Sequence, residues 1–273
     1  MRSVRRRAII GGLLLNVVIM VAHSGAHAEW YAGGYGGFGT SGSLADVTMP
    51  LLGERRADQQ FPQADQPLDL SGRGTLTGTF KASDISLKSS AIFGAKVGRF
   101  FTEEKLPWLG IELEAFSTNP KIKMQNLDTV HDITYQPNTP GAGTDCNIPV
   151  PVIPNCPSSV LNRSTQTLQE SSLRVTALTL NLIARYPGTF VQPYVGIGGG
   201  AFYFSSSSGS IQGRQFYPGL NTLLGIKVLV TDEWGLFAEG KHNLANVTNF
   251  DPTFGLSGMY SIFHLVAGVS YHF

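Results

Sequence analysis

Hydrophobic and polar positions alternate with a period of two along most of the chain beyond residue 28. The last stretch, YSIFHLVAGVSYHF, shows the pattern most clearly, because Phe263, Leu265, Ala267 and Val269 share one parity while small and polar residues such as Ser270 share the other. A strand of about ten alternating residues can cross a bilayer when it is tilted within a closed barrel. The pattern therefore predicts a strand whose apolar side chains face lipid.

Eight segments show this alternation, and short and long links between them alternate. The predicted strands cover 30–40, 91–101, 109–116, 173–186, 191–204, 216–231, 234–244 and 260–273, although the parity of the first is ambiguous. An antiparallel up-and-down barrel places all short links at one end and all long loops at the other. The predicted fold is therefore all-β: an eight-stranded antiparallel transmembrane β-barrel over 29–273, with long extracellular loops at about 41–88 and 119–172.

A soluble barrel would also alternate, but it would turn its apolar parity inward. Its outer face would then be rich in Lys, Glu and Thr, whereas the second parity here interleaves many glycines, such as Gly94, Gly110 and Gly196, with few charges. Small residues belong in the crowded interior of an eight-stranded barrel, which is just wide enough for side chains to fill. The second face therefore indicates a lumen rather than a wet surface.

Seven charged residues fall on the predicted lumen parity, four basic and three acidic. We expect them to pair across the lumen, since a buried unpaired charge costs several kcal/mol. This predicts a structural plug, and the alternative is a proton or ion path. The residues are Lys96, Glu112, Glu114, Arg185, Lys227, Glu239 and Lys241.

Residues 1–28 have the features of a cleavable secretory signal. Four arginines precede an apolar stretch from Ala8 to Ala22, and Ala26-His27-Ala28 fits a cleavage site. Gly11, Gly12 and Asn16 interrupt the stretch, which disfavours a permanent membrane helix. Without this segment, 16 basic residues face 19 acidic ones, a net charge of −3 that argues against nucleic-acid binding.

Two cysteines lie in the second long loop, which also contains seven of the 15 prolines. An exported chain is folded in a compartment where disulfides persist. The sequence therefore predicts a bridge between Cys146 and Cys156 that pins a loop tip, with free thiols or a metal pair as alternatives.

The histidines are the residues that could support catalysis, and none has convincing partners in the sequence. Ser270 and His272 share the luminal parity, and His264 is predicted to face inward as well. His242 is predicted to face lipid with no hydroxyl nucleophile beside it. We expect all three to be satisfied lumen or interface histidines, and we predict no catalytic residues, no metal ligands and no cofactor. Aromatic residues near strand ends are expected to form interfacial girdles: Trp108, Tyr186, Trp234, Tyr260 and Tyr271.

The eight predicted strands resemble the OmpA-like and opacity-protein-type outer-membrane barrels. The segments that carry the resemblance are WYAGGYGGFG, AIFGAKVGRFF, WLGIELEAF, LNLIARYPGTFVQPYVGIGGG and HLVAGVSYHF. The loops do not match, and the two long loops and the cysteine pair depart from the pattern.

The resemblance implies a monomeric, non-enzymatic protein of the Gram-negative outer membrane with a structural, adhesion or surface-interaction role. Its partners would be outer-membrane lipid and lipopolysaccharide, together with the barrel-assembly machinery. Tyr271 and Phe273 resemble the C-terminal signal that this machinery recognises. The alternatives are a lipid A-modifying enzyme and a narrow porin-like channel, and the loop sequences name no extracellular ligand.

Overall fold

The computed structural model describes residues 29–40, 42–52, 74–137, 158–188, 190–209 and 211–273. No helix within these ranges has the length and hydropathy that a membrane crossing requires. In chain order the strands are β1 (Glu29–Gly39), β2 (Ser43–Thr48), β3 (Gly74–Ala82), β4 (Ile85–Ser86), β5 (Ser90–Phe101), β6 (Leu106–Thr118), β7 (Lys121–Ile122), β8 (Gln125–Pro137), β9 (Ser158–Leu168), β10 (Ser171–Ser172), β11 (Arg174–Arg185), β12 (Val191–Ser206), β13 (Gly213–Leu229), β14 (Trp234–Val247) and β15 (Ser257–His272).

Eight of these strands close into a barrel. Strands β1, β5, β6, β11, β12, β13, β14 and β15 each pair antiparallel with the next, and β15 returns to β1, where His272 lies opposite Tyr31. The prediction of an eight-stranded antiparallel up-and-down barrel is confirmed. Each predicted strand coincides with one of the eight.

Side chains alternate between the lumen and the outer wall. On β11, Leu178, Leu180 and Leu182 are exposed, whereas Thr179 and Asn181 between them are buried. On β15, Phe263 and Leu265 are 42% and 43% exposed, while Lys96 and Glu112 in the lumen are 5% and 1% exposed. The barrel is therefore apolar outside and polar inside, as the parity of the strands predicts.

The strands are staggered by ten residues around the barrel. A path of directly opposed residues starts at Trp30 on β1 and returns at Thr40, the residue that follows β1. The N–H of Thr40 donates to the carbonyl of Phe263 at 2.8 Å. Closed barrels combine such a stagger with tilted strands. A residue's height along the barrel therefore depends on its strand as well as on its number. The path is Trp30, Arg99, Ile111, Leu182, Ile197, Thr222, His242, Phe263 and Thr40.

The two long connections, predicted as loops, contain strands. We call the end of the barrel with the long connections the outer end and the end with the short links the inner end. At the outer end, the first residues of β15 pair with β2, and the sheet continues through β3 and β8 to β9. On β8, buried Leu127 and Thr129 alternate with exposed Asn126 and Asp128. The alternation is present, but polar residues occupy both parities, which hides it from a search for apolar faces.

An apolar core fills the barrel at the outer end. It combines barrel residues such as Phe204 and Tyr260 with Ile85, Leu87 and Ile122 from the long connections, and all five are fully buried. Burying one such side chain contributes about 1.5–3 kcal/mol. The long connections are thus packed onto the barrel and close its outer end.

Glycine on one strand makes room for a tyrosine ring from the next. A Cβ atom at Gly94 would lie 2.3 Å from the Cζ and Oη atoms of Tyr35, whereas a Cβ atom at Gly34 would meet nothing within 4 Å. We expect Gly94→Ala to lower the free energy of unfolding by about 1–3 kcal/mol, because it overpacks the lumen. Denaturant titration in detergent measures this. Gly34→Ala is the control, and equal stability of the two variants would contradict the packing argument.

Candidate functional site

Buried ionisable side chains form a connected network in the lumen. Lys96 on β5 contacts Glu239 on β14 and lies 3.4 Å from Glu112 on β6. Tyr194 donates to Glu239 at 2.5 Å, and Tyr31 donates to Glu112 at 2.7 Å. Both carboxylates therefore have an ammonium and a phenol as neighbours, and the single lysine serves both.

A second cluster lies beside the first and centres on Glu114. Its carboxylate contacts Lys241 and accepts a hydrogen bond from Tyr35. The amide nitrogens of Asn181 and Asn221 donate to it at 3.2 and 2.9 Å. The amide of Asn181 also donates to Glu112 at 3.2 Å, so the two clusters form one network.

The inner end of the lumen is closed around Arg185. Its guanidinium group contacts both carboxylate oxygens of Glu29 and donates to the carbonyl of Pro107 at 3.0 Å and to Gln192 at 3.2 Å. His272 lies 3.3 Å from the same carboxylate. Glu29 is a site residue that sequence reasoning missed, because it lies at the edge of the first strand, whose parity is ambiguous.

Lys227 is an exception to the expectation that all seven lumen charges pair. Its ammonium lies 3.4 Å from Nε2 of His272 and 4.2 Å from the centre of the Tyr31 ring. Within the described ranges, Lys227 forms no ion pair. Arg185 does form one, but its partner is Glu29, which is not among the seven predicted charges. The other five charges pair with one another.

The network leaves almost no free space. The cavity between Tyr31, Lys96, Glu112, Arg185 and Lys227 has a volume of about 10 Å³, which is room for about one water molecule. Together with the apolar core at the outer end, the network fills the lumen.

All three histidines lie on the faces predicted for them, but two details of the expectations are wrong. His264 is fully buried and packs against Phe116, but neither ring nitrogen has a hydrogen-bond partner within the described residues. His242 lies on the outer wall with Nε2 3.0 Å from the hydroxyl of Ser261. Ser261 lies on the neighbouring strand β15, and the register between β14 and β15 places it beside His242. The alternation of residues along a single strand does not reveal that register.

Four of the five predicted girdle aromatics are exposed, and the fifth is not. Trp108, Tyr186, Trp234 and Tyr271 lie exposed at the ends of strands near the short links, and the rings of Trp234 and Tyr271 are 5.0 Å apart. Tyr260 is 0% exposed and belongs to the inward parity of β15. It packs 5.0 Å from Phe204 in the apolar core.

Four sequence-based predictions fall wholly or partly outside the described residues. The signal segment 1–28 and the pair Cys146 and Cys156 lie outside them entirely, and the loops at about 41–88 and 119–172 are described only in part. Tyr271 and Phe273, the predicted assembly signal, stack at 6.2 Å. In the ranges given above, no group of three or more His, Cys, Asp or Glu residues is placed to hold a metal ion.

No protein-family model and no curated protein matches this chain. Among solved structures, Neisserial surface protein A is 12% identical, covers 89% of this chain and 97% of its own, and gives a TM-score of 0.43. Ail, the attachment invasion locus protein of Yersinia pestis, is 11% identical, covers 91% of this chain and 100% of its own, and gives a TM-score of 0.38. The outer membrane protease OmpT of Escherichia coli is 10% identical, covers 90% of this chain and 97% of its own, and gives a TM-score of 0.34. Because all three TM-scores are below 0.5, the fold rests on the strand pairings described above.

Removing one partner of a buried pair should cost far more than removing one partner of an exposed pair. We expect Lys241→Met to lower the free energy of unfolding by about 3–5 kcal/mol, because Glu114 is left without its ammonium in a dry lumen. Lys121→Met is the matched control, since its partner Glu170 is exposed and such pairs contribute about 0–1 kcal/mol. Denaturant titration in detergent measures both.

The double variant Glu114→Gln with Lys241→Met tests the cause of the loss. With both charges removed, most of the stability lost in Lys241→Met should return. A double variant at least as unstable as Lys241→Met would show that the pair is not coupled.

Proposed function

We propose that the chain is an integral β-barrel of the bacterial outer membrane with a structural, adhesion or surface-interaction role and an occluded lumen. The observation that carries this is the apolar outer wall. Most outward side chains along the middle of the eight strands are apolar and exposed. Soluble monomeric proteins rarely expose so large a continuous apolar surface to water. They include Leu113, Leu180, Ile197, Leu224, Leu236 and Leu265.

Aromatic residues bound this wall at both ends. Trp108, Tyr186, Trp234 and Tyr271 lie at the inner end, near the short links. On the outer side, Tyr203 and Phe216 pack with ring centres 4.6 Å apart. Outer-membrane barrels carry aromatic girdles at both interfaces of an apolar band about 25 Å tall. The belt between these residues fits that arrangement and supports the membrane assignment.

The filled lumen supports a role at the surface rather than transport. A wide pore needs a continuous wet path, whereas here an ion-pair network and an apolar core lie one after the other along the barrel axis. The sheet formed by β2, β3, β8 and β9 extends beyond the outer rim. This extension is the part of the protein available to partners outside the cell, in agreement with the general placement of function on loops held by a rigid scaffold.

The purified full-length protein should not conduct ions as an open channel. In planar bilayers we expect brief or undetectable currents, because the cavity within the charge network has room for about one water molecule and an apolar core follows it along the barrel axis. A folded sample must first show a shift in gel mobility between unboiled and boiled aliquots. A large and stable single-channel conductance from such a sample would contradict the occluded lumen, and the absence of any mobility shift would contradict the membrane barrel itself.

A second candidate function is hydrolysis of an outer-leaflet lipid ester, and the contact between His242 and Ser261 favours it. Both residues are partly exposed on the outer wall, towards the outer end of the belt. In such a reaction Ser261 Oγ attacks the ester carbonyl while His242 Nε2 takes the hydroxyl proton and passes it to the leaving alkoxide. Water then hydrolyses the acyl-enzyme. No carboxylate contacts His242 within the described ranges, so the imidazole lacks an orienting group.

Incubation with lipid A distinguishes the two functions. If the pair is catalytic, mass spectrometry should detect loss of an acyl chain, and Ser261→Ala should abolish that loss while Ser117→Ala, a serine elsewhere on the outer wall, retains it. An unchanged lipid mass with the wild-type protein would reject hydrolysis of lipid A and leave His242 and Ser261 as a surface hydrogen bond.

A further inference from the structure

Cationic side chains form a row on the outer surface, just beyond the apolar belt at the end with the long connections. The backbone N–H of Lys88 donates to the carbonyl of Lys121 at 2.7 Å. Further round the wall, Arg174 lies opposite Ser205, and Ser205 lies opposite Arg214. We call this set the basic row: Lys88, Lys121, Arg174, Ser205 and Arg214.

The charged members of the basic row face away from the lumen. Leu87 and Ile122 pair in an isolated bridge and are both fully buried, so the adjacent lysines point outward and are exposed. Arg174 lies between buried Leu173 and Val175 and is itself exposed, as is Arg214. All four cations are therefore accessible from the side of the barrel.

The basic row keeps a net positive charge after its own ion pairs are counted. Glu170 contacts Lys88 and accepts from Lys121 at 3.1 Å, and these hydrogen bonds hold the pKa of Glu170 below its usual range. One carboxylate thus serves two lysines. Arg174 and Arg214 form no ion pair within the described ranges. With four cations and one anion, the net charge is +3.

The row lies at the depth expected for lipid headgroups. Tyr203 and Phe216 form the aromatic contact at the outer edge of the belt, and Ser205 and Arg214 follow two residues further out on the same strands. Two residues of a tilted strand correspond to about 5 Å of height. Aromatic rings mark the level where the hydrocarbon ends, so the arginines reach the layer of charged groups above it.

We propose that Arg174 and Arg214 bind a phosphate group of a lipid headgroup in the outer leaflet. The proposal rests on the proposed function, because a membrane position brings headgroups to this depth. The two arginines are two strand spacings apart, about 10 Å, and their long side chains can converge on a group over Ser205, whose hydroxyl can donate. Guanidinium groups suit phosphate because their planar donors bind it in a bidentate manner.

The test is binding of bisphosphorylated lipid A to the folded full-length protein in detergent, measured by native mass spectrometry. We expect the double variant Arg174→Gln with Arg214→Gln to bind at least about tenfold more weakly, since charge-assisted hydrogen bonds to phosphate are lost. Arg174→Lys with Arg214→Lys should retain part of the affinity. Arg99→Gln, at the inner end of the wall, should bind as the wild type does. Wild-type affinity in the glutamine double variant would overturn the proposal.

A second measurement needs no variant. Lipid A from which the phosphates have been removed should bind the wild-type protein about as weakly as intact lipid A binds the glutamine double variant. Equal binding of both lipid forms to the wild type would overturn the proposal. Competition by inorganic phosphate or a soluble polyanion at equal phosphate concentration would show a site for soluble anions instead.

The mobility shift on boiling separates the two levels of the argument. A wild-type protein without the shift contradicts the membrane barrel. A wild-type protein with the shift whose lipid A binding is insensitive to the arginines loses the phosphate site alone.

Discussion

The cost of a charge in a dry lumen is the constraint on which this structure depends. An eight-stranded barrel is too narrow to hold bulk water beside its side chains, so an unpaired charge in the lumen is costly, and among the described residues every predicted lumen charge except Lys227 forms an ion pair. Lys96 on β5 contacts Glu112 on the adjacent strand β6 and Glu239 on β14, which lies three strands away around the barrel. Pairs of this kind require that all eight strands be in register together, which links local chemistry to closure of the whole barrel.

Tyrosine and glycine solve the packing problem that the charges create. Tyr31 and Tyr35 on β1 carry their hydroxyls to Glu112 and Glu114, and each ring occupies space that a Cβ atom at Gly98 or Gly94 would fill. The phenol supplies a donor at the end of a large apolar ring, so it satisfies a carboxylate and fills volume at once. The glycine-rich inward faces are therefore the complement of the aromatic residues opposite them.

The strands were predictable from the sequence because the two environments differ so strongly. The outer wall carries apolar residues and the lumen accepts small or paired polar ones, so a period of two identified all eight barrel strands. Strands β8 and β9 were not predicted because both of their faces contain polar residues. The contacts of His242 with Ser261 and of Arg185 with Glu29 depend on which residues neighbouring strands place side by side. That register is a property of the closed sheet, since parity alone is compatible with several staggers.

The lengths of the connections explain why the two ends of the barrel are closed by different chemistry. At the inner end, short links hold the strands close, and Arg185 on β11 reaches across the lumen to Glu29 on β1, which also lies beside His272 on β15. At the outer end, the long connections supply extra strands whose apolar side chains enter the barrel. Ion pairs suit an end where rigid backbone fixes geometry, whereas apolar packing tolerates the variation of long connections. The surface formed by β2, β3, β8 and β9 can therefore change without opening the lumen, provided that the buried apolar residues beneath it remain.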